Sequence, residues 1–197
     1  EIIKSSSGRA ADLIRRLLSL SRKIDPSRVP FDLNIAVKNI RRICENSLPK
    51  SVILDFRLSP DPMIVKADLL QMEQMLLNLC INASHAMTIM RGDDPQGGTL
   101  RVTLGAAMSD DPFLMRSGGS GNGNTRYALL EVADEGVGIS GDNIQRLFEP
   151  FFTTKKRENG TGLGLAMVYR IVIQHEGLVD VQSAPGAGTS MRVYIPL

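Results

Sequence analysis

The sequence predicts an α+β fold: a two-layer sandwich in which a mixed sheet is covered on one face by helices, preceded by one amphipathic helix. Three observations lead there. Short β-rich runs and long amphipathic runs alternate without the regular βαβ rhythm of a doubly wound sheet. Two glycine clusters, around Gly136 and Gly162, sit between strand-like and helix-like segments. The first cluster does have the G-x-G-x-x-G spacing (Gly136, Gly138, Gly141) after a strand, but without the βαβ rhythm of a doubly wound sheet around it, and no G-x-x-x-x-G-K-[ST] occurs, so a dinucleotide-binding Rossmann domain and a P-loop are both disfavoured.

The totals bound the size and the partners. A chain of 197 residues holds one domain with an appendage, and 43% hydrophobic residues suffice for a core. The balance of 23 basic to 21 acidic residues gives only +2, which argues against nucleic-acid binding through bulk charge. Tryptophan is absent and aromatics make up 5%, so no broad base-stacking surface is expected. Cys44 and Cys80 lack metal-ligand spacing and fall among apolar neighbours. They read as buried, reduced thiols of a cytoplasmic protein. No run of about eighteen apolar residues is present, so no direct membrane contact by this chain is expected. The chain starts at Glu1 without a methionine and reads as a piece of a longer protein, whose anchoring in an inner membrane stays open.

In chain order, Ile3, Ala10, Leu13, Ile14, Leu17 and Leu18 recur at helical spacing and predict an amphipathic helix over residues 1–23. Its stripe fits either its own domain or a partner helix. Asp25-Pro26 and Pro30 end it. A short strand at residues 31–33 precedes a helix from Asn34 to Ser47. Residues 52–58 have strand composition, and Pro60 and Pro62 set a turn before a strand at Met63–Val65, expected to pair with it. Asp68 caps a long helix reaching about Met90. Leu69, Met72, Leu76, Leu79, Ala83 and Ala86 form its buried face. Gln74, Asn78 and Asn82 stack along another stripe, with His85 three residues on. Asparagine is a poor helix former, so that stripe is either a solvated face or a site. A strand at residues 99–106 leads to a Gly-, Ser- and Asn-rich stretch from Met108 to Thr125, read as an elongated hairpin loop without evident chemistry. Residues 126–133 form a strand ending at Asp134. Beyond the second glycine cluster come a helix at residues 165–174, a break at Gly177, a strand at 178–183, a turn at Pro185-Gly186, and a closing strand at 188–196.

Gly160, Gly162 and Gly164 open directly into that last helix. Glycine permits positive φ and close approach to a ligand, and a helix N-terminus presents unpaired N–H groups to phosphate. The arrangement is a candidate phosphate site, although glycine pairs also make ordinary turns.

Four stretches then occur in a fixed order: N-L-C-I-N-A (78–83), D-E-G-V-G-I (134–139), F-E-P-F-F-T-T-K (148–155) and G-T-G-L-G-L (160–165). Together they resemble the N, G1, F and G2 boxes of the ATP-binding catalytic domain of sensor histidine kinases. That domain has the Bergerat, or GHKL, ATP-binding fold also found in type II topoisomerases, the ninety-kilodalton heat-shock chaperone and MutL. The wording of the F and G2 boxes is most similar to the nitrogen-regulation type. The resemblance covers about residues 30–197. It implies two parts: residues 1–25, the second helix of the dimerisation and phosphotransfer hairpin, and residues 26–197, the catalytic domain. The acceptor histidine belongs to the first hairpin helix, and neither His85 nor His175 lies in an H-box. His175 reads as a helix C-terminal residue favourable with the helix dipole.

The resemblance implies ATP and Mg²⁺ as cofactors and assigns roles. Asp134 would accept a hydrogen bond from the adenine amino group, with Gly136 and Gly138 letting backbone pass close to the base. Asn82 would bind Mg²⁺ through its amide oxygen, and Asn78 would face the phosphates. Gly160, Thr161, Gly162, Leu163 and Gly164 would form the phosphate-side bend. Thr189 would support the adenine pocket through its hydroxyl. Lys155, followed by Lys156, would begin the lid and neutralise γ-phosphate charge, with Phe148, Phe151 and Phe152 as the lid's apolar anchor. His85 stands where relatives place lysine or arginine; it is either a phosphate contact or a surface residue. Implied partners are the parent's own hairpin, a response-regulator receiver domain and a second copy meeting through residues 1–25. The expected activity is protein histidine kinase. Two alternatives stand beside it: an ATP hydrolase of the same superfamily, and a nucleotide-binding pseudokinase. Hydrolysing relatives carry a glutamate base one turn before the metal asparagine; Asn78 there cannot take a proton.

Overall fold

The computed structural model describes residues 27–92, 97–108, 110–117, 126–155 and 161–197. The expected helix over residues 1–23, Lys156 and Gly160 lie outside them. Strand β1 (Val29–Asp32) leads through Leu33 into helix α1 (Asn34–Ser47). Asp32 starts that helix: one carboxylate oxygen accepts from the Asn34 N–H at 3.0 Å and from the Met63 N–H at 3.0 Å.

Strand β2 (Val52–Arg57) and strand β3 (Ile64–Ala67) do not pair with each other, contrary to the expectation from the prolines between them. Strand β3 pairs antiparallel with β1, and β2 runs parallel to strand β4 (Gly98–Met108). The intervening segment is tied down by Asn34. Its amide oxygen accepts from the Ser59 N–H at 3.2 Å and its amide nitrogen donates to the Asp61 carbonyl at 3.3 Å. The prolines therefore shape a crossing between two sheets rather than a hairpin.

Helix α2 (Leu69–Met87) begins as expected, with the Asp68 carboxylate accepting from the Gln71 N–H at 3.1 Å. It ends three residues short of Met90, where the Thr88 hydroxyl donates back to the Ser84 carbonyl at 2.7 Å and a 3-10 turn (Ile89–Arg91) follows. Met72, Leu76, Leu79 and Ala83 are buried as expected; Met75, Cys80 and Met87 join them, while Leu69 and Ala86 are only partly covered. Cys44 of α1 and Cys80 of α2 are both buried free thiols.

Strand β5 (Arg126–Asp134), helix α4 (Gly141–Arg146), helix α5 (Gly164–Gln174), strand β6 (Leu178–Ser183) and strand β7 (Thr189–Pro196) complete the layers. The main sheet has the order β2-β4-β5-β7-β6, antiparallel except at β2–β4. Alternate residues Leu100, Val102 and Leu104, Ala128, Leu130 and Val132, and Met191, Val193 and Ile195 are buried against the helices. The opposite face carries polar pairs, among them Ser190 with Glu131 at 2.6 Å and Arg192 with Asp180. One face is apolar and the other mostly polar, the two-layer arrangement that period-2 alternation predicts, except at one end of the second face, where Ala107, Tyr127 and Tyr194 form a smaller buried cluster with Leu114.

Two local expectations fail. The 108–125 stretch contains a short helix, α3 (Pro112–Arg116), where an unstructured loop was expected. Asp111 accepts from the Phe113 N–H at 2.8 Å, Leu114 is fully buried, and Phe113 stacks on Tyr194 with ring centroids 5.2 Å apart. An acid cap followed by proline is a helix start, and an apolar pair fixes it. His175 stands at the C-terminal end of α5 as expected, but as a neutral ring and not as a cation on the helix dipole. It is buried, its Nδ1–H donates to the Ile171 carbonyl at 2.8 Å, and its Nε2 accepts from the Asp68 N–H at 3.1 Å. Burial pushes its pKa below the ordinary value. The neutral ring thus joins the end of α5 to the start of α2. Among the described residues, no helix is long and apolar enough to cross a membrane.

Candidate functional site

A cleft of about 1210 Å³ opens between α2, the C-terminal end of β5, the Phe152–Lys155 segment and the start of α5. It brings together most of the residues singled out in the sequence, although they are spread from Gln74 to Thr189. The polar stripe of α2 forms one wall. Gln74, Asn78, Asn82 and His85 all face the cleft, so the stripe lines a cavity and not an open outer face. Asn78 is held in place: it accepts from the Gln74 amide at 3.4 Å and its own amide approaches the Met167 sulfur of α5 at 3.6 Å.

Asp134 closes the floor. Its Oδ1 accepts from the Gly136 N–H at 2.8 Å, and the Thr189 N–H also supports the carboxylate. Burial still dominates over these bonds and over nearby Arg91, and raises its pKa to about 6. Such an acid is ionised at neutral pH yet poorly hydrated, so it favours an incoming N–H donor. The bend after it is fixed by contact. A Cβ on Gly136 would lie 2.6 Å from the Ala86 Cβ of α2. Gly138, at φ 69°, lines the cleft, and a Cβ there would fall 1.9 Å from the Ala184 carbonyl oxygen. Ser183 clamps this bend from behind: its hydroxyl accepts from the Ile139 N–H at 2.8 Å and donates to the Gly188 carbonyl at 2.8 Å. Thr189 lines the cleft with its hydroxyl 2.9 Å from that of Ser183, so it supports Asp134 through backbone and the bend through its side chain.

The opposite rim is the second glycine bend. Thr161, Gly162, Leu163 and Gly164 all line the cleft, with Leu163 buried. Gly164 starts α5 beside Asn82, whose amide nitrogen would stand 3.5 Å from a Cβ at that position. The N-terminus of an eleven-residue helix therefore points at the asparagine stripe. Lys155 reaches across from the lid side: its Nζ lies 3.0 Å from Asn82 Oδ1 and 2.9 Å from His85 Nδ1. Burial lowers the Lys155 pKa, and burial followed by the Lys155 charge lowers that of His85.

Of the three phenylalanines, Phe148 and Phe152 behave as anchors. Phe148 packs on Tyr169 at 5.2 Å, and Phe152 takes the Arg146 guanidinium at 4.6 Å. Phe151 does not: it is 57% exposed and held at φ 67°. Helix α4, not expected from the sequence, also contributes: its Asn143 lines the cleft beside Ser140. The S-G-D-N stretch is a helix-start signal, with Asp142 in the first turn. Among the described residues no group of three or more His, Cys, Asp or Glu could hold a metal. A divalent ion held by a single protein oxygen would take its remaining ligands from phosphate and water, a set that suits magnesium. Asn82 Oδ1 fits that part: it is a hard oxygen in the cleft that already attracts a cation.

Residues 67–197 match the family described as histidine kinase-, DNA gyrase B-, and HSP90-like ATPase. The chain is 35% identical over 194 residues to the sensor kinase CckA of Brucella abortus (strain 2308), covering 98% of this chain and 20% of that protein. It is 31% identical to the sensor histidine kinase ZraS of Klebsiella oxytoca, covering 96% of this chain and 37% of that protein. The chain thus spans well under half the length of these relatives. Among solved structures, full-length ShkA in complex with AMPPNP superposes with a TM-score of 0.74 at 25% identity, covering 98% of this chain and 36% of that one. The mycobacterial sensor histidine kinase MprB, at 24% identity and a TM-score of 0.63 over 86% of this chain and 97% of that one, shares the fold.

Proposed function

The chain belongs to the histidine kinase-, DNA gyrase B-, and HSP90-like ATPases, and from that premise we propose that it is the catalytic domain of a sensor histidine kinase. It binds MgATP and passes the γ-phosphoryl group to a histidine on the parent's hairpin. Residues 26–197 are then the catalytic domain and residues 1–25 come from the hairpin, through which two copies meet. The phosphoryl group travels onward to an aspartate of a response-regulator receiver domain.

The observation that carries this reading is the pairing, in one cleft, of a poorly hydrated carboxylate with an amide-bearing helix. Asp134 orients the purine through its amino group. The stripe of α2 and the N-terminus of α5 face the phosphates. Asn82 offers the oxygen for Mg²⁺, which, when bound, neutralises phosphate charge. Phosphoryl transfer needs positioning and charge neutralisation more than covalent help from the protein. As the phosphorus–nitrogen bond to the imidazole forms, the bond from the γ-phosphorus to its bridging oxygen breaks, ADP leaves with that oxygen, and the imidazole N–H proton passes to solvent water. Asn78 supports transfer over hydrolysis: an amide fixed between Gln74 and Met167 activates no water.

The test is to supply the parent's hairpin as a separate fragment with labelled ATP. Acid-labile phosphohistidine should appear on the hairpin and vanish with Asn82→Ala, while circular dichroism shows that the variant is folded. Nucleotide binding without any transfer to the hairpin would leave a pseudokinase. Persistent transfer in a folded Asn82→Ala variant would move the metal ligand elsewhere.

A further inference from the structure

An ammonium group has three N–H donors and no lone pair. Both partners of the Lys155 Nζ, Asn82 Oδ1 at 3.0 Å and His85 Nδ1 at 2.9 Å, must therefore accept from it. This sets the histidine tautomer: His85 is neutral, with its proton on Nε2 and its Nδ1 lone pair on the lysine. The lysine is further fixed at its backbone, where its N–H donates to the Thr153 hydroxyl at 3.1 Å. Lys155 is half-buried, while Thr153 and Thr154 before it are exposed. An otherwise open segment is thus pinned to α2 by one charged side chain.

The pinned oxygen is the one that the functional reading gives to the metal. Magnesium binds oxygen at about 2.1 Å and demands a near-octahedral shell. An ammonium hydrogen-bonded to the same amide oxygen stands in the space that ion and its waters need, and two cations so close repel strongly. Resting on that functional reading, we propose that Lys155 is a resident stand-in for the metal, held on Asn82 with His85 as its second anchor, and that it must leave before the divalent ion can bind. Metal entry and release of the lid lysine are then one event. Until the metal–nucleotide arrives, the lysine offsets the polarity of the cleft. Once displaced, it is free to reach phosphate. His85 becomes a positioning residue for the lid lysine, a neutral acceptor in contact with its ammonium. A lysine or arginine at position 85 would repel Lys155 from this place.

The experiment titrates Mg²⁺ into the full chain with a fluorescent ADP analogue and reads the Mg²⁺ concentration at half-maximal binding. ADP is chosen because it lacks the γ-phosphate that Lys155 would contact after release. Lys155→Met removes the competitor and is expected to lower that concentration by roughly fivefold or more, the scale of one charge-assisted hydrogen bond. His85→Phe, which removes only one anchor, is expected to shift it the same way by less. Thermal melting checks that both variants fold, with Lys155→Gln as the substitute if the methionine variant does not. An unchanged or raised midpoint in a folded Lys155 variant overturns the proposal. Absence of nucleotide binding by the unaltered chain at any Mg²⁺ concentration fails the underlying nucleotide reading instead, and is distinguishable because no variant then gives a signal.

Discussion

Asp134 illustrates how a single residue trades stability for binding. Its folded pKa is raised from 3.8 to about 6, chiefly by burial. A raised carboxyl pKa means that the native state binds the proton more tightly than the unfolded chain does. The stability this contributes is fully present below pH 3.8 and is lost as pH rises through about 6. At neutral pH the bare carboxylate therefore weighs on the fold, and the purine donor proposed above would relieve it. We expect the unfolding free energy of Asp134→Asn, relative to the unaltered chain, to rise by about 2 kcal/mol between pH 4 and pH 7. The same variant should weaken ATP binding by roughly 1–3 kcal/mol, the scale of a lost charge-assisted hydrogen bond. Denaturant unfolding at the two pH values and calorimetry with nucleotide read the two effects separately. A pH-independent difference would mean that the carboxyl is not buried as described; unchanged affinity would remove it from the purine. At this scale fixed motifs single out Asp134 and Asn82, and the structure places both in the cleft. The contact of His85 was not legible, because it depends on Lys155 arriving from seventy residues away in the chain.

Elements were legible where their signals are local. The glycine bend before α5 is one. Gly162 sits at φ 66°, and a Cβ there would fall 2.4 Å from the Phe151 carbonyl carbon. Phe151 is itself at φ 67°, and its N–H donates to the Gly162 carbonyl at 2.9 Å. Two left-handed residues thus lock the lid base to the start of α5, and only one of them can carry a side chain. Gly162→Ala should cost at least about 2 kcal/mol, combining backbone strain with a clash against main chain. It should also cut nucleotide affinity more than tenfold, because the bend lines the cleft. Gly141 is the control: nothing lies within 4 Å of a Cβ there and its φ is ordinary. Gly141→Ala should stay within about 0.5 kcal/mol of the parent. Equal effects at the two positions, read by chemical unfolding and nucleotide titration, would refute the lock. Elements whose signals are not local were less legible. Strand β3 has ordinary strand composition, but its choice of β1 over β2 is made by Asn34 and by β4, neither of which is near it in sequence. Helix α3 carries its own start signal, yet the Gly- and Ser-rich residues after it outweigh that signal in any reading by composition.

The cleft is a property of the whole domain, since its walls come from α2, β5, β7, the lid base and α5 and exist only when these are packed. A ligand that needs all of them binds the folded state alone and stabilises it by mass action. At a hundredfold excess over Kd the gain is about 2.7 kcal/mol, which for a domain of this size raises Tm by roughly 5–10 °C. The base should matter as much as the phosphates. Adenine presents an amino donor at its 6-position, whereas hypoxanthine presents an oxygen there, and an oxygen facing the Asp134 carboxylate puts acceptor against acceptor. The two nucleotides carry identical phosphates and differ little in size, so electrostatic attraction and metal binding are matched between them. A thermal-shift series with Mg²⁺ should therefore show a large rise with a non-hydrolysable ATP analogue and a rise several-fold smaller with its inosine counterpart at the same concentration. Asp134→Asn, whose amide can both donate and accept, should narrow that gap by weakening the adenine nucleotide and tolerating the other. Equal shifts from the two nucleotides in the unaltered chain would place the purine away from Asp134, even if the phosphates still lay along α2.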